Sequence, residues 1–195
     1  MKIAVMGTGA IGGYIGARLA AAGAQVTFIA RGAHLAAIRT AGVRVLSPLG
    51  DVTVAPASAS DDPRTVGPVD VVLLGTKLYD VEATAQAIGP MVHDDTAVIC
   101  LQNGVDAPGI VERVHGAAHV VPSVVMINGE VAGPGVIKHN AMNMLTVGEL
   151  DGRASRRLDR LWQRARLDPQ DWRPGTRRAR LQRLDLLALR GGRAP

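Results

Sequence analysis

"MKIAVMGTGAIGGYIGARLAAAGAQVTFIAR", residues 1–31, decides the reading of the fold. Residues 2–6 read as a fully buried strand. Residues 10–22 read as a helix rich in small residues, stopped by Gly23, and residues 24–30 as a second strand. Between the first strand and the helix lies Gly7-Thr8-Gly9-Ala10-Ile11-Gly12, a GxGxxG pattern. Alone it is a weak signal, because a glycine-rich turn can bind nothing. In a βαβ unit of this length each glycine has a mechanical reason. Gly7 allows the tight turn, Gly9 lets backbone N–H groups approach a pyrophosphate, and Gly12 lets the helix pack against the sheet. The helix N-terminus then faces the phosphates with its partial positive charge.

In NAD-binding chains an acid at the end of the second strand takes the ribose 2′-hydroxyl. Here that strand ends "FIAR", and no acid lies between Gly7 and Asp51. A carboxylate would repel a 2′-phosphate, whereas Arg31 can hold one with a charge-assisted fork. The expectation is NADP(H), with a solvated surface arginine as the plain alternative.

Residues 33–41 read as a short helix, and "VRVLSPLGDVTVAP" as a hairpin around Ser47-Pro48-Leu49-Gly50. A buried strand ending in a loop is expected within residues 69–77 and another within 96–104, a further strand at 119–127, and helices at 79–89 and 106–114. "GVIKH" and "NMLTVGE" read as a closing antiparallel pair. Strands and helices alternating at this spacing predict an α/β fold: a doubly wound, mostly parallel Rossmann-type sheet with helices on both faces. Lys77 in "LLGTK" and Asn103 in "LQNGVD" each lie past the C-terminal end of a parallel strand, where ligands bind in open α/β sheets.

Charge divides the chain. Residues 1–150 carry nine Lys/Arg against twelve Asp/Glu, whereas residues 151–195 carry thirteen arginines against five aspartates. The basic character therefore belongs to the last segment, which lacks the motif or aromatic interleaving of a nucleic-acid binder. Cys100 is the one cysteine, in an apolar run that predicts core packing and a reducing compartment. No stretch approaches the ~18 apolar residues of a membrane helix. A cytoplasmic protein is the expectation. The scattered histidines, His115 and His119 included, form no metal pattern.

"MGTGAIGG", "FIAR", "LLGTK", "LQNGVD" and "PGVIKHNAMNMLTVGELDG", in this order and spacing, resemble the N-terminal half of the ketopantoate reductase (2-dehydropantoate 2-reductase) family over about residues 1–163. The combination is specific and no single motif is. The resemblance implies an NADPH-binding domain followed by an all-helical substrate domain, and reduction of a small 2-oxo acid. By match, Gly7, Thr8, Gly9, Ala10, Ile11 and Gly12 would hold the pyrophosphate and Arg31 the 2′-phosphate. Lys77 would lie near the ribose-phosphate region, and Asn103 near the nicotinamide ribose and substrate.

The resemblance also implies a general-acid lysine at the start of the helical domain, in a segment like "LWxKF". The lysines here are Lys2, Lys77 and Lys138 only, and "Leu161-Trp162-Gln163" comes too early and lacks one. The expected domains are a cofactor domain at 1–150, the start of a linker helix at 151–163, and an aberrant, poorly ordered arginine-rich tail at 164–195. Nine arginines in the last 32 residues, without lysine, fit a shifted reading frame in a GC-rich gene. A natural truncated paralogue is the alternative, and the nucleotide sequence around codons 160–170 separates the two. On the chain as written, a non-catalytic NADP(H)-binding module stands beside the reductase reading.

Overall fold

The computed structural model describes residues 1–150 together with Leu158, Trp172–Pro174 and Gln182–Asp185. Short, largely apolar strands fix the centre of the sheet. β1 (Lys2–Met6) lies between β2 (Gln25–Ile29) and β6 (Val71–Leu74), parallel to both. β7 (Ala97–Cys100) and the first residues of β8 (Val120–Gly133) continue outward from β6. On the other edge β5 (Ser58–Ser60) pairs in parallel with β2. The order β5-β2-β1-β6-β7-β8 reverses direction between β1 and β6. That reversal is the switch point of a doubly wound sheet, where a crevice opens at the C-terminal strand ends.

Alternation along each strand explains why helices cover both faces. Ile3, Val5, Phe28 and Leu73 point to one core, shared with Ile15 of α1 (Ala10–Ala21) and Ile38 of α2 (Gly32–Ala41). Ala4, Met6, Val72 and Leu74 point to the other, shared with Ala85 of α3 (Val81–Ala87) and Val111 of α4 (Asp106–His115). Cys100 sits in this second core, where burial pushes its thiol pKa up to about 12. Small residues let α1 come close: a Cβ on Gly16 would lie 2.6 Å from Val5 Cγ2 and 2.8 Å from Phe28 Cε1.

The hairpin β3 (Val43–Leu46) and β4 (Val52–Val54) forms as expected. Three strand assignments differ. β5 carries only Ser-Ala-Ser, a polar edge strand without hydrophobic periodicity, and the sequence gives no signal for it. "GVIKH" and "NMLTVGE" do not pair with each other. They belong to one strand, β9 (Val136–Val147), which runs antiparallel along β8, with register shifts near Asn128 absorbing the irregular middle. β8 is accordingly longer than its apolar start suggests: it leaves the parallel sheet after Pro122 and continues as a partner of β9. β9 also receives β3 in parallel and, antiparallel, β11 (Gln182–Asp185), which pairs with β10 (Trp172–Pro174). The expected linker helix at 151–163 lies outside the described residues except for Leu158, helical and buried. Most of the arginine-rich segment lies outside them too. No helix among the described residues is long and apolar enough to cross a membrane.

Candidate functional site

The glycine turn is held by close packing at Gly7 and Gly12. Gly7 has φ +99°, and a Cβ there would meet Thr76 N at 2.8 Å. A Cβ on Gly12 would overlap the Gly7 carbonyl oxygen and approach Val5 Cγ1 to 3.1 Å, so only glycine lets α1 begin this near β1. Thr8, grouped by the sequence with the phosphate loop, directs both its N–H (3.1 Å) and its hydroxyl (2.9 Å) to the Ile29 carbonyl. It shapes the loop by tying it to the end of β2. Gly9 differs from its neighbours, because nothing lies within 4 Å of where its Cβ would be. Gly9 is also the N-cap of α1, which has neither a capping side chain nor an acid in its first turn. The first amides of a helix have no partner within it, and here Gly9, Ala10 and Ile11 border open space.

That space is a cleft of about 520 Å³ at the switch point. Gly9, Ala10 and Ile11 form one wall. The loop after β6 brings Gly75, Thr76 and Lys77, and the loop after β7 brings Gln102 and Asn103. Val125, Ile127 and Gly129 of β8 close the third side. Of the residues singled out by the sequence, Gly9, Ala10, Ile11, Lys77 and Asn103 line this one cleft. The sequence misses Thr76, Gln102 and the β8 wall. The first two are immediate neighbours of the predicted residues, whereas the β8 wall depends on that strand running on past the parallel sheet.

Among the described residues no carboxylate lines the cleft; Lys77 supplies its positive charge, added to the α1 N-terminus. Arg31 is not among the lining residues. It stands exposed at the N-cap of α2, two residues past the end of β2, with no ion pair among the described residues. Three residues on, His34 Nδ1 accepts the Gly135 N–H at 3.0 Å. The other histidines paired by spacing have separate structural duties: His115 Nε2 donates to Ala85 O (2.6 Å) and His119 Nδ1 to Thr96 O (2.9 Å).

The family model described as "Ketopantoate reductase PanE/ApbA" matches residues 3–152. The chain belongs to the ketopantoate reductase family. Among relatives named 2-dehydropantoate 2-reductase, that of Mesorhizobium japonicum is 34% identical over 179 residues, covering 81% of this chain and 55% of its own length. That of Halobacterium salinarum is 31% identical, covering 78% of this chain and 50% of its own. The crystal structure of 2-dehydropantoate 2-reductase from Geobacter metallireducens superposes with a TM-score of 0.79 at 30% identity, over 85% of this chain and 55% of that one. A ternary structure of D-mandelate dehydrogenase with NADH and anilino(oxo)acetate superposes with a TM-score of 0.67 at 28% identity, over 72% of this chain and 46% of that one. The chain thus spans about half the length of these ketopantoate reductase relatives, and its likeness is to oxidoreductases throughout.

Proposed function

We propose that this chain forms the NADP(H)-binding half of a reductase for 2-dehydropantoate or a related small 2-oxo acid. The observation that carries the reading is the cradle at Gly9. The uncapped N-terminus of α1 opens there onto space that a side chain would fill, in a cleft without a carboxylate. A pyrophosphate fits this chemistry, since the free amides donate and the helix dipole favours the anion. Two buried oxygens without partners, Thr76 Oγ1 and Gln102 Oε1, belong to residues lining the same cleft and suit a polar ligand.

When bound, NADPH supplies the hydride for the carbonyl carbon of the 2-oxo acid. Gly9, Ala10 and Ile11 present their amides to the pyrophosphate. Arg31, with no ion pair among the described residues, offers its guanidinium to a 2′-phosphate as a bidentate donor. Lys77 serves the ribose-phosphate region, and Asn103 the nicotinamide ribose and substrate. The names of the relatives supply the substrate class.

A second reading rests on the ionisable groups of the cleft. Reduction requires an acid that protonates the forming alkoxide. Lys77 and Tyr79 are the ionisable side chains in the lining, and both are exposed at its rim. With no proton donor held inside, the chain would act as an NADP(H)-binding module without turnover.

Titration of the chain with NADPH and NADH, followed by nucleotide fluorescence, tests the cofactor. NADPH should bind more tightly, and Arg31→Ala should lower that preference about tenfold or more, the effect of losing a charge-assisted bond. An unchanged NADPH/NADH ratio removes the NADP(H) assignment, and failure of both nucleotides to bind removes both readings. Adding 2-dehydropantoate to the NADPH complex then separates them: NADPH oxidation supports the reductase, and binding without oxidation supports the module.

A further inference from the structure

We infer that Gln102 positions the two substrate-facing loops and that its Oε1, with Thr76 Oγ1, receives the hydrogen-bond donors of the nicotinamide nucleoside. This rests on the reading of the cleft as an NADP(H) site. Gln102 Nε2 donates to Leu74 O at 2.9 Å and to Thr76 O at 3.0 Å. Backbone carbonyls only accept, so the orientation of the amide is fixed and both of its N–H groups are used. One side chain thereby stitches the end of β6 to the end of β7, a single residue before Lys77 on one loop and before Asn103 on the other. The Leu101 N–H reinforces the seam by donating to the same Leu74 carbonyl at 3.0 Å.

The other end of this amide is unfinished. Gln102 Oε1 and Thr76 Oγ1 are both buried and both lack a partner. Buried polar atoms are almost always paired, and two orphans in one cleft wall point to a partner that arrives from outside. The chemistry of that partner is restricted. An amide oxygen accepts and cannot donate, so neither a phosphate, nor a carboxylate, nor the carbonyl of a 2-oxo acid satisfies it. Among the groups this cleft would receive, the carboxamide N–H₂ and the ribose hydroxyls of the nicotinamide nucleoside carry suitable hydrogens. The Thr76 hydroxyl can donate or accept and completes either one. Its methyl is wedged against the glycine turn, 3.0 Å from where a Gly7 Cβ would lie, so the hydroxyl can be removed without changing the packing. Both oxygens belong to residues that line the cleft, and both are closed to water in the free chain.

The test compares wild type, Thr76→Val and Gln102→Met, both near-isosteric, for binding of NADPH and of adenosine 2′,5′-bisphosphate, which carries only the adenosine half. NADPH should bind about 5-fold more weakly to Thr76→Val and weaker still to Gln102→Met. Adenosine 2′,5′-bisphosphate should bind all three alike. Thr76→Val should in addition melt at or above the wild-type temperature, because it deletes an unpaired buried hydroxyl. The acetylpyridine analogue of NADPH, which has no carboxamide N–H, identifies the donor. If it binds wild type weakly and Thr76→Val no worse, the carboxamide is the partner. If it follows NADPH through both variants, a ribose hydroxyl is. Equal NADPH affinity across wild type and both variants overturns the inference while leaving the NADP(H) site standing, and so does a parallel loss of both probes. Failure of wild type to bind NADPH overturns the cofactor reading itself.

Discussion

The two ends of α1 are built in opposite ways. At its N-terminus the helix carries no capping side chain and no acid, and the place beside Gly9 is open. Toward its C-terminus Arg18 is buried and tied into a hydrogen-bonded cluster, although its Nε has no partner among the described residues. Arg18, 7% exposed, donates to Gly50 O (2.8 Å) and Ser47 Oγ (3.1 Å), and its guanidinium lies 5.3 Å from the Tyr14 ring centroid. His139 stacks on Tyr14 at 4.3 Å. The Met142 carbonyl only accepts, so His139 Nε2 carries the proton and Nδ1 takes the Ser47 hydroxyl proton at 2.8 Å. The Ser47 oxygen in turn accepts from Arg18 and from Leu49 N–H (3.1 Å). The end of α1 with the negative helix dipole thus holds a buried cation, and the end with the positive dipole has no capping side chain.

Four substitutions or measurements break or sharpen this contrast, from the largest effect downward. Gly12→Ala drives a methyl into the Gly7 carbonyl, which is backbone and cannot yield. It should cost about 3 kcal/mol or more in chemical denaturation and abolish NADPH binding with it. His139→Ala removes a ring from the closed end and leaves the Ser47 hydroxyl without its acceptor. A loss of about 2–4 kcal/mol is expected, again from denaturation curves, with NADPH affinity of the folded fraction unchanged. An equal fall in affinity would show that the two ends are not independent. Gly9→Ala reverses the pattern. Its φ of −83° suits alanine and its Cβ meets nothing, so the melting temperature should hold while NADPH dissociation rises about tenfold as the methyl occupies the phosphate's place. Cys100 provides the smallest effect. With its thiol pKa raised to about 12 by burial, the thiolate is scarce at pH 8 in the native state, and a thiol reagent should label it only on unfolding.

Local spacing made much of this legible. The βαβ unit, the glycine turn, Lys77 and Asn103 are each set by residues within one strand-to-helix connection, where period, glycine and charge speak directly. What stayed hidden depends on partners distant in sequence. β5 is a strand because β2 lends it hydrogen bonds, not because Ser-Ala-Ser favours one. "GVIKH" and "NMLTVGE" read as two pieces because the polar segment between them is continuous only when laid along β8. The part played by Gln102 needs carbonyls 26 and 28 residues away, and that of Thr8 needs one 21 residues away. Side-chain hydrogen bonds over such separations leave no periodic trace.

The Ile29 carbonyl, which takes both donors of Thr8, lies two residues before Arg31. The glycine turn and the backbone of Arg31 are thus both tethered to the end of β2, the one through the Thr8 hydrogen bonds and the other through two peptide units. A shift of that one carbonyl would therefore carry both with it.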